Sequence, residues 1–276
     1  MNMRWKQYLT ALATLFVLAL ALASPLHAQP SYEGRAIVTG RDNRQREAGL
    51  RQGFREVMAR VAGAPALETD ARVDGMDFRP ALVSFAYVDR MALLPRQDEQ
   101  GSRDRPYDLF SQWSPRGVAR ALLLLRLEPW PAAARPVVAA RVRVAPRVGE
   151  PFAIRADTDV DGDHRAALWE AGRRYGLVLR LDAEDAVGPG PAAPGPAAFG
   201  TAAAGAAGAE ADAPGDSPVL DGRLRWVDGE GWHADWALRA GGKSWDWQSV
   251  PGSFDAAYRS GVANTVRALA GEWRRK

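Results

Sequence analysis

Apolar residues recur along this chain at two spacings, and the switches between them lay out two sheet-and-helix units. Residues 32–39, YEGRAIVT, alternate as a strand that ends at Gly40. Asp42 or Asn43 then caps a helix over 44–62, which lines Ala48, Leu50, Phe54, Val57, Met58 and Val61 along one face. Arg44, Arg46, Glu47, Arg51, Arg55 and Glu56 fall on its wet side, and Gly63 and Pro65 stop it. A shorter helix is predicted over 78–85, a strand over 87–94, and a second strand over 107–113. Ser114-Pro115 opens a helix to about residue 126, with Val118, Ala121, Leu122 and Leu125 facing inward. The order strand, helix, helix, strand, strand, helix describes a sheet covered on one face.

The second unit repeats that logic. Residues 136–145 form a strand rich in Val, 152–156 pair with it, and a helix spans 165–175 before Gly176 and a short strand at 177–181. Residues 188–218 are then almost wholly Pro, Ala and Gly. Such a segment has too little apolar surface to order itself, so it reads as a disordered insertion whose two ends lie close together. Three strands at 219–227, 231–239 and 244–249 make a meander with turns at 228–230 and 241–242. Ser253 caps a last helix to about residue 273, with Phe254, Ala257, Tyr258, Val262, Val266 and Leu269 along its apolar stripe. The fold class is α+β: an N-terminal unit at 31–130 and a C-terminal unit at 136–276 that ends in a Trp-rich three-strand meander and a C-terminal helix.

Composition adds a compartment. Arg4 and Lys6 precede an uncharged apolar run over 9–24, Pro25 breaks it, and Leu26-His27-Ala28 leads to Gln29. This is the pattern of a secretory signal peptide over 1–28, cut after Ala28 or, alternatively, after Ala23. Removing Arg4 and Lys6 from the 36 basic residues leaves 34 against 33 acidic ones, so the exported chain is nearly neutral. No basic block accompanies that balance, which argues against nucleic acid as a partner. No second long apolar run follows, so no transmembrane segment is expected after cleavage, and the chain is expected in the periplasm. There is no cysteine, which excludes disulfides, thiolate catalysis and Cys-based metal centres.

The remaining chemistry is sparse. Asp157, Asp159, Asp161 and Gly162 match the first half of a calcium loop, but Leu168 stands where a closing Glu belongs and Glu170 comes two residues late. These acids read instead as a cap for the next helix, and no metal site is assigned. Trp226, Trp232, Trp236, Trp245 and Trp247 fall on single faces of their strands, as core residues beneath the last helix would. His233 lies near Asp235, yet no nucleophile elbow completes a triad. No catalytic residue and no cofactor are assigned.

The richest stretch is 87–113, YVDRMALLPRQDEQGSRDRPYDLFSQW. Carboxylates and guanidinium groups alternate in it, and Asp89, Arg90, Asp98, Glu99, Arg103, Asp104, Arg105 and Asp108 form a docking loop of mixed charge between two strands. Arg neighbours depress carboxylate pKa values, so these acids suit bracing and docking better than proton donation.

The same residues carry a family resemblance. YEGRAIVTG, the helix at 44–63, FAYVDRM, DEQGSRDRPYDL, LDGRLRW, GWHADWALRAGG and SFDAAYRSGVANTVRALAG resemble the bacterial family catalogued as domain of unknown function 2066. The resemblance implies an exported protein of Gram-negative bacteria with no established activity. The expected function is a periplasmic, non-enzymatic protein that binds another protein of the cell envelope. The rival reading is an envelope hydrolase or glycan-binding module using the 98–108 carboxylates or the tryptophans at 226–247.

Overall fold

The computed structural model describes residues 31–93, 97–98, 101–102, 105–158, 161–181 and 217–274. In strand β1 (Glu33–Val38), Gly34, Ala36 and Val38 are buried while Glu33 and Ile37 face outward. The Asp42 side chain accepts from the backbone N–H groups of Arg44 and Gln45, capping helix α1 (Asn43–Ala62). Gly63, at φ 59°, closes it in the left-handed conformation that a side chain disfavours. A 3₁₀ turn at Pro65–Thr69, a short helix α2 (Ala71–Asp74) and a second 3₁₀ turn at Arg79–Ala81 lead to β2 (Leu82–Asp89). The two-residue strands β3 (Gln97–Asp98) and β4 (Gly101–Ser102) pair as the top of a hairpin, and β5 (Tyr107–Trp113) returns to the sheet. Ser114 caps α3 (Pro115–Leu124) as expected.

The three-stranded sheet has the order β1-β5-β2, all antiparallel. Helix α1 lies on one of its faces at very short range. A Cβ added to Gly34 would sit 2.5 Å from the carbonyl oxygen of Gly53, and one added to Gly53 would sit 2.5 Å from Ser111 Oγ. Ala48, expected on the apolar face, is exposed, and Gly49 and Gly53 make the contact in its place. Phe54 of α1 packs at a tilt on Phe78 and Trp113, which meet edge to face, with ring centroids 5.0–6.2 Å apart.

The helix expected over 78–85 does not form. Pro80 confines helical geometry to one 3₁₀ turn, and Leu82 and, past an irregularity at Val83, Ser84 onward pair with β5. The strand therefore begins at Leu82 rather than at residue 87. It ends at Asp89, whose carboxylate accepts from the Met91 N–H and turns the chain.

The second unit runs β6 (Val137–Ala145), β7 (Phe152–Ala153), α4 (Gly162–Tyr175), β8 (Val178–Leu181), β9 (Val219–Val227), β10 (Gly231–Ala240), β11 (Lys243–Gln248) and α5 (Phe254–Arg274). Its sheet has the order β11-β10-β9-β6-β7, with β8 on the same edge of β6 as β7. Both β8 and β9 are parallel to β6. Leu181 is level with Ala140 on one side, and Val219 is level with Ala139 on the other. Leu181 and Val219, on either side of β6, are thus two strand spacings apart, about 10 Å. The 182–216 segment, like 1–30, lies outside the described residues.

Helices α4 and α5 cover one face of this sheet. Trp236 is held between Gly222 and Gly261, where an added Cβ would come within 2.4 Å and 2.6 Å of the indole. Trp232, Trp245 and Trp247 pack partly buried against the same core. Trp226 differs: it leans edge-on against Trp232 at 5.7 Å and donates to Asp228, outside the principal core. The molecule is therefore layered as small sheet, α1, the α4–α5 pair and large sheet.

Candidate functional site

The expected docking loop divides at its base. Arg105 is largely buried; it donates from Nε to Asp89 Oδ2 at 3.0 Å and from Nη2 to the Met91 carbonyl. Asp108, also buried, receives both nitrogens of Arg35, at 3.2 and 3.0 Å, while Arg90 stands 3.8 Å away. Asp89, Arg90, Arg105 and Asp108 are brought together as two braces at the foot of the hairpin. Asp98 belongs to the β3–β4 pairing by its backbone. Glu99, Arg103 and Asp104 lie outside the described residues.

The sheet face beside this hairpin carries no helix among the described residues. Register places Ile37, Asp108 and Val88 in one row across β1, β5 and β2, and Arg35, Phe110 and Ala86 in the next. Ile37 is 55% exposed and Val88 52%, while the Arg35 guanidinium lies 5.5 Å over the Phe110 ring. A central ion pair is thus bordered by exposed aliphatic side chains. At the free edge, Val83 and Phe85 are exposed as well.

A second charged constellation was not expected from the sequence. Glu56 and Arg60 pair one helical turn apart at 1% and 0% exposure, so Glu56 is not on the wet side of α1. Arg60 also donates to the carbonyls of Ser31 (2.8 Å), Glu33 (2.7 Å) and Arg174 (2.9 Å). Arg135 donates to the carbonyls of Arg60 (2.8 Å), Val61 (3.2 Å) and Gly176 (3.0 Å), and Arg274 to that of Ala62. Arg135, in the connection between the units, and Arg274 of the second unit thereby satisfy the orphan carbonyls at the negative end of α1. Burial pushes the Glu56 carboxyl up, against the pull of Arg60, Arg174 and Arg173. Burial, then the nearby Arg60 charge, brings Arg135 down to about 10. Next to them, a shallow cleft of about 240 Å³ is lined by Gln52, Arg55, Glu68, Thr69 and Arg174. Its charges are spent on one another: Arg174 on Glu68 at 2.8 Å, and Arg55 on Asp74. The seam holds the two units together. A signal for it existed in the 4-3-4 spacing of Gly49, Gly53, Glu56 and Arg60, which puts the pair on the helix face that the glycines press against the sheet.

The acidic turn before α4 acts as a brace. Asp161 is 1% exposed and accepts from Arg155 N (2.7 Å), Thr158 Oγ1 (2.9 Å) and Arg165 Nη1 (2.7 Å). Asp157 is exposed, Asp159 lies outside the described residues, and the described residues contain no group of three metal-type ligands. His233 and Asp235 do not pair. His233 Nε2 faces Glu230 at 2.8 Å, and Asp235 accepts from Gln248. His164 sits in an aromatic cluster of Phe152, Trp232, Phe254 and Tyr258, with Nδ1 2.9 Å from the Tyr258 hydroxyl. Burial lowers its pKa, against Asp163, Asp161 and Asp255.

No curated protein and no solved structure matches the chain. The resemblance to domain of unknown function 2066 is overturned. The family model that matches, over residues 27–131, is a different one, described as Domain of unknown function (DUF8605), and it covers the stretch that holds the small sheet, α1 and the braced hairpin.

Proposed function

We propose that this is an exported, non-enzymatic binding protein of the cell envelope that docks a protein partner on the helix-free face of the small sheet and the adjoining hairpin. The observation that carries the reading is the row Ile37–Asp108–Val88, in which two exposed aliphatic residues flank a buried, ion-paired carboxylate. Exposed apolar residues grouped around a fixed polar centre suit protein recognition. The braces Arg105–Asp89 and Arg35–Asp108 hold the hairpin base in one geometry before any partner arrives, which reduces the ordering cost of binding. The same pairing weakens the hydrolase reading, since these carboxylates are already engaged by arginines. Export is supported by the charged start and apolar run of residues 4–24. Among the described residues, no helix is long and apolar enough to cross a membrane.

Photo-crosslinking amino acids placed at Ile37 and Val88, in the native host, test this. A discrete protein adduct from both positions, absent from a probe at Asp246 on the large sheet, supports the reading. Adducts from all three alike, or from none, refute it. Fractionation of the same cells should place the processed chain in the periplasm, and an unprocessed cytoplasmic chain would remove the export part.

A further inference from the structure

The large sheet also has a helix-free face, and its chemistry differs from that of the small one. Alternate residues of β6, β8 and β9 point away from α4 and α5: Val137, Ala139, Arg141 and Arg143; Val178 and Arg180; Asp221, Arg223 and Arg225. Register sets Arg143 directly opposite Arg223, an unfavourable like-charge pair that the fold retains. The side chains of Arg143, Arg180 and Arg223 are exposed and, among the described residues, make no ion pair or hydrogen bond. The described acids on this face are otherwise engaged. Asp221 pairs with Arg239 at 2.7 Å, and Asp235, opposite Arg223 on β10, accepts from Gln248 at 2.8 Å. Asp246 lies at the far edge, on β11. At the other end Val137 and Val178, a cross-strand pair, are 47% and 40% exposed.

We infer that this face docks onto an anionic bilayer, with Arg143, Arg180 and Arg223 engaging lipid phosphates and Val137 and Val178 entering the headgroup layer. Charge complementarity selects an anionic partner, because three guanidinium groups that no described carboxylate neutralises stand together on one side of the molecule. The shape selects a membrane. The arginines spread over three adjacent strands of a sheet face, roughly 10 Å by 13 Å. Among the described residues, the face carries no Phe, Tyr or Trp on which bases of a single strand would stack. Arg forms bidentate contacts with phosphate, and each basic residue near an anionic leaflet strengthens attachment by about 5-fold. The inference is independent of the partner proposed for the small sheet, which lies on the opposite side of the layered fold.

The experiment is vesicle flotation of the full chain with mixed phosphatidylglycerol–phosphatidylcholine vesicles and with phosphatidylcholine alone. The patch variant is R143T/R180T/R223T. The control, R44T/R116T/R120T, removes three exposed arginines elsewhere and leaves the net charge equal. Both variants keep the same N-terminal apolar run, so that run cannot produce a difference between them. The expected result is attachment to the anionic vesicles only, falling on the order of 100-fold in the patch variant and little in the control. Attachment should also weaken with added salt. The patch variant should melt no lower than the wild type, because it loses the Arg143–Arg223 repulsion. Equal loss in both variants, no attachment by the wild type, or preference for an oligonucleotide over the vesicles overturns the inference.

Discussion

Replacing Arg60 with Met isolates what the buried seam contributes. Met fills much the same volume, so packing changes little, but four interactions vanish: the pair with Glu56 and the bonds to the carbonyls of Ser31, Glu33 and Arg174. Breaking one side of a buried ion pair costs about 3–5 kcal/mol, chiefly because the other charge is left without compensation. Against a typical total stability of about 5–15 kcal/mol, that is a large fraction. It corresponds to a fall in Tm on the order of 10 °C for a chain of this size. The pH dependence identifies the cause. Burial already raises the Glu56 pKa above its ordinary value, and Arg60 is the largest influence opposing that rise. In Arg60→Met the folded pKa climbs further. A carboxyl with a raised folded pKa contributes fully below its unfolded value, about 4.5, and loses that contribution as pH rises through the folded one. The penalty of the substitution should therefore be smaller near pH 4 than near pH 7. Urea denaturation at both pH values, read by tryptophan fluorescence, measures it. A loss below about 1 kcal/mol, or one equal at both pH values, would refute the argument that a buried charge pair holds this seam.

Two further outcomes follow from the second unit. Gly261→Ala drives a Cβ to 2.6 Å from the Trp236 ring, so it should destabilise by about 1–3 kcal/mol, and Trp236→Phe in the same chain should recover part of that loss; additive effects of the two substitutions would show that they do not touch. His164 has a folded pKa held below its ordinary value by burial, so its contribution is present above about 6.5 and is lost as pH falls through the folded value; His164→Gln should flatten the decline in Tm on acidification, and an unchanged profile would assign that decline to other groups.

Much of the architecture was legible because it is encoded locally. The Asp42 cap, Gly63 and Gly176 as helix stops, and Ser114-Pro115 as a helix start act through the nearest backbone groups, and each sits where it was expected. The meander and its turns follow from strict alternation, as do the burial of Trp236 and the partial burial of Trp232, Trp245 and Trp247. Trp226 has the same alternation but lies outside the principal core, against Trp232 and Asp228. The segment over 78–85 has enough apolar residues for either a helix or a strand, and pairing with β5 decided it.

Local pattern alone was enough for two α+β units, their caps and turns, and the mixed charge of the 89–108 stretch. Which charges are buried was set by contacts between distant segments. Arg105 and Asp89 are sixteen residues apart, and Arg35 and Asp108 seventy-three, yet antiparallel register makes them partners. Glu56 and Arg60 look like an ordinary exposed i, i+4 pair until α4, with Arg173 and Arg174, closes over them. Periodicity assigns a residue to a face of its own helix or strand. What later covers that face depends on contacts between distant segments, and no local pattern records it.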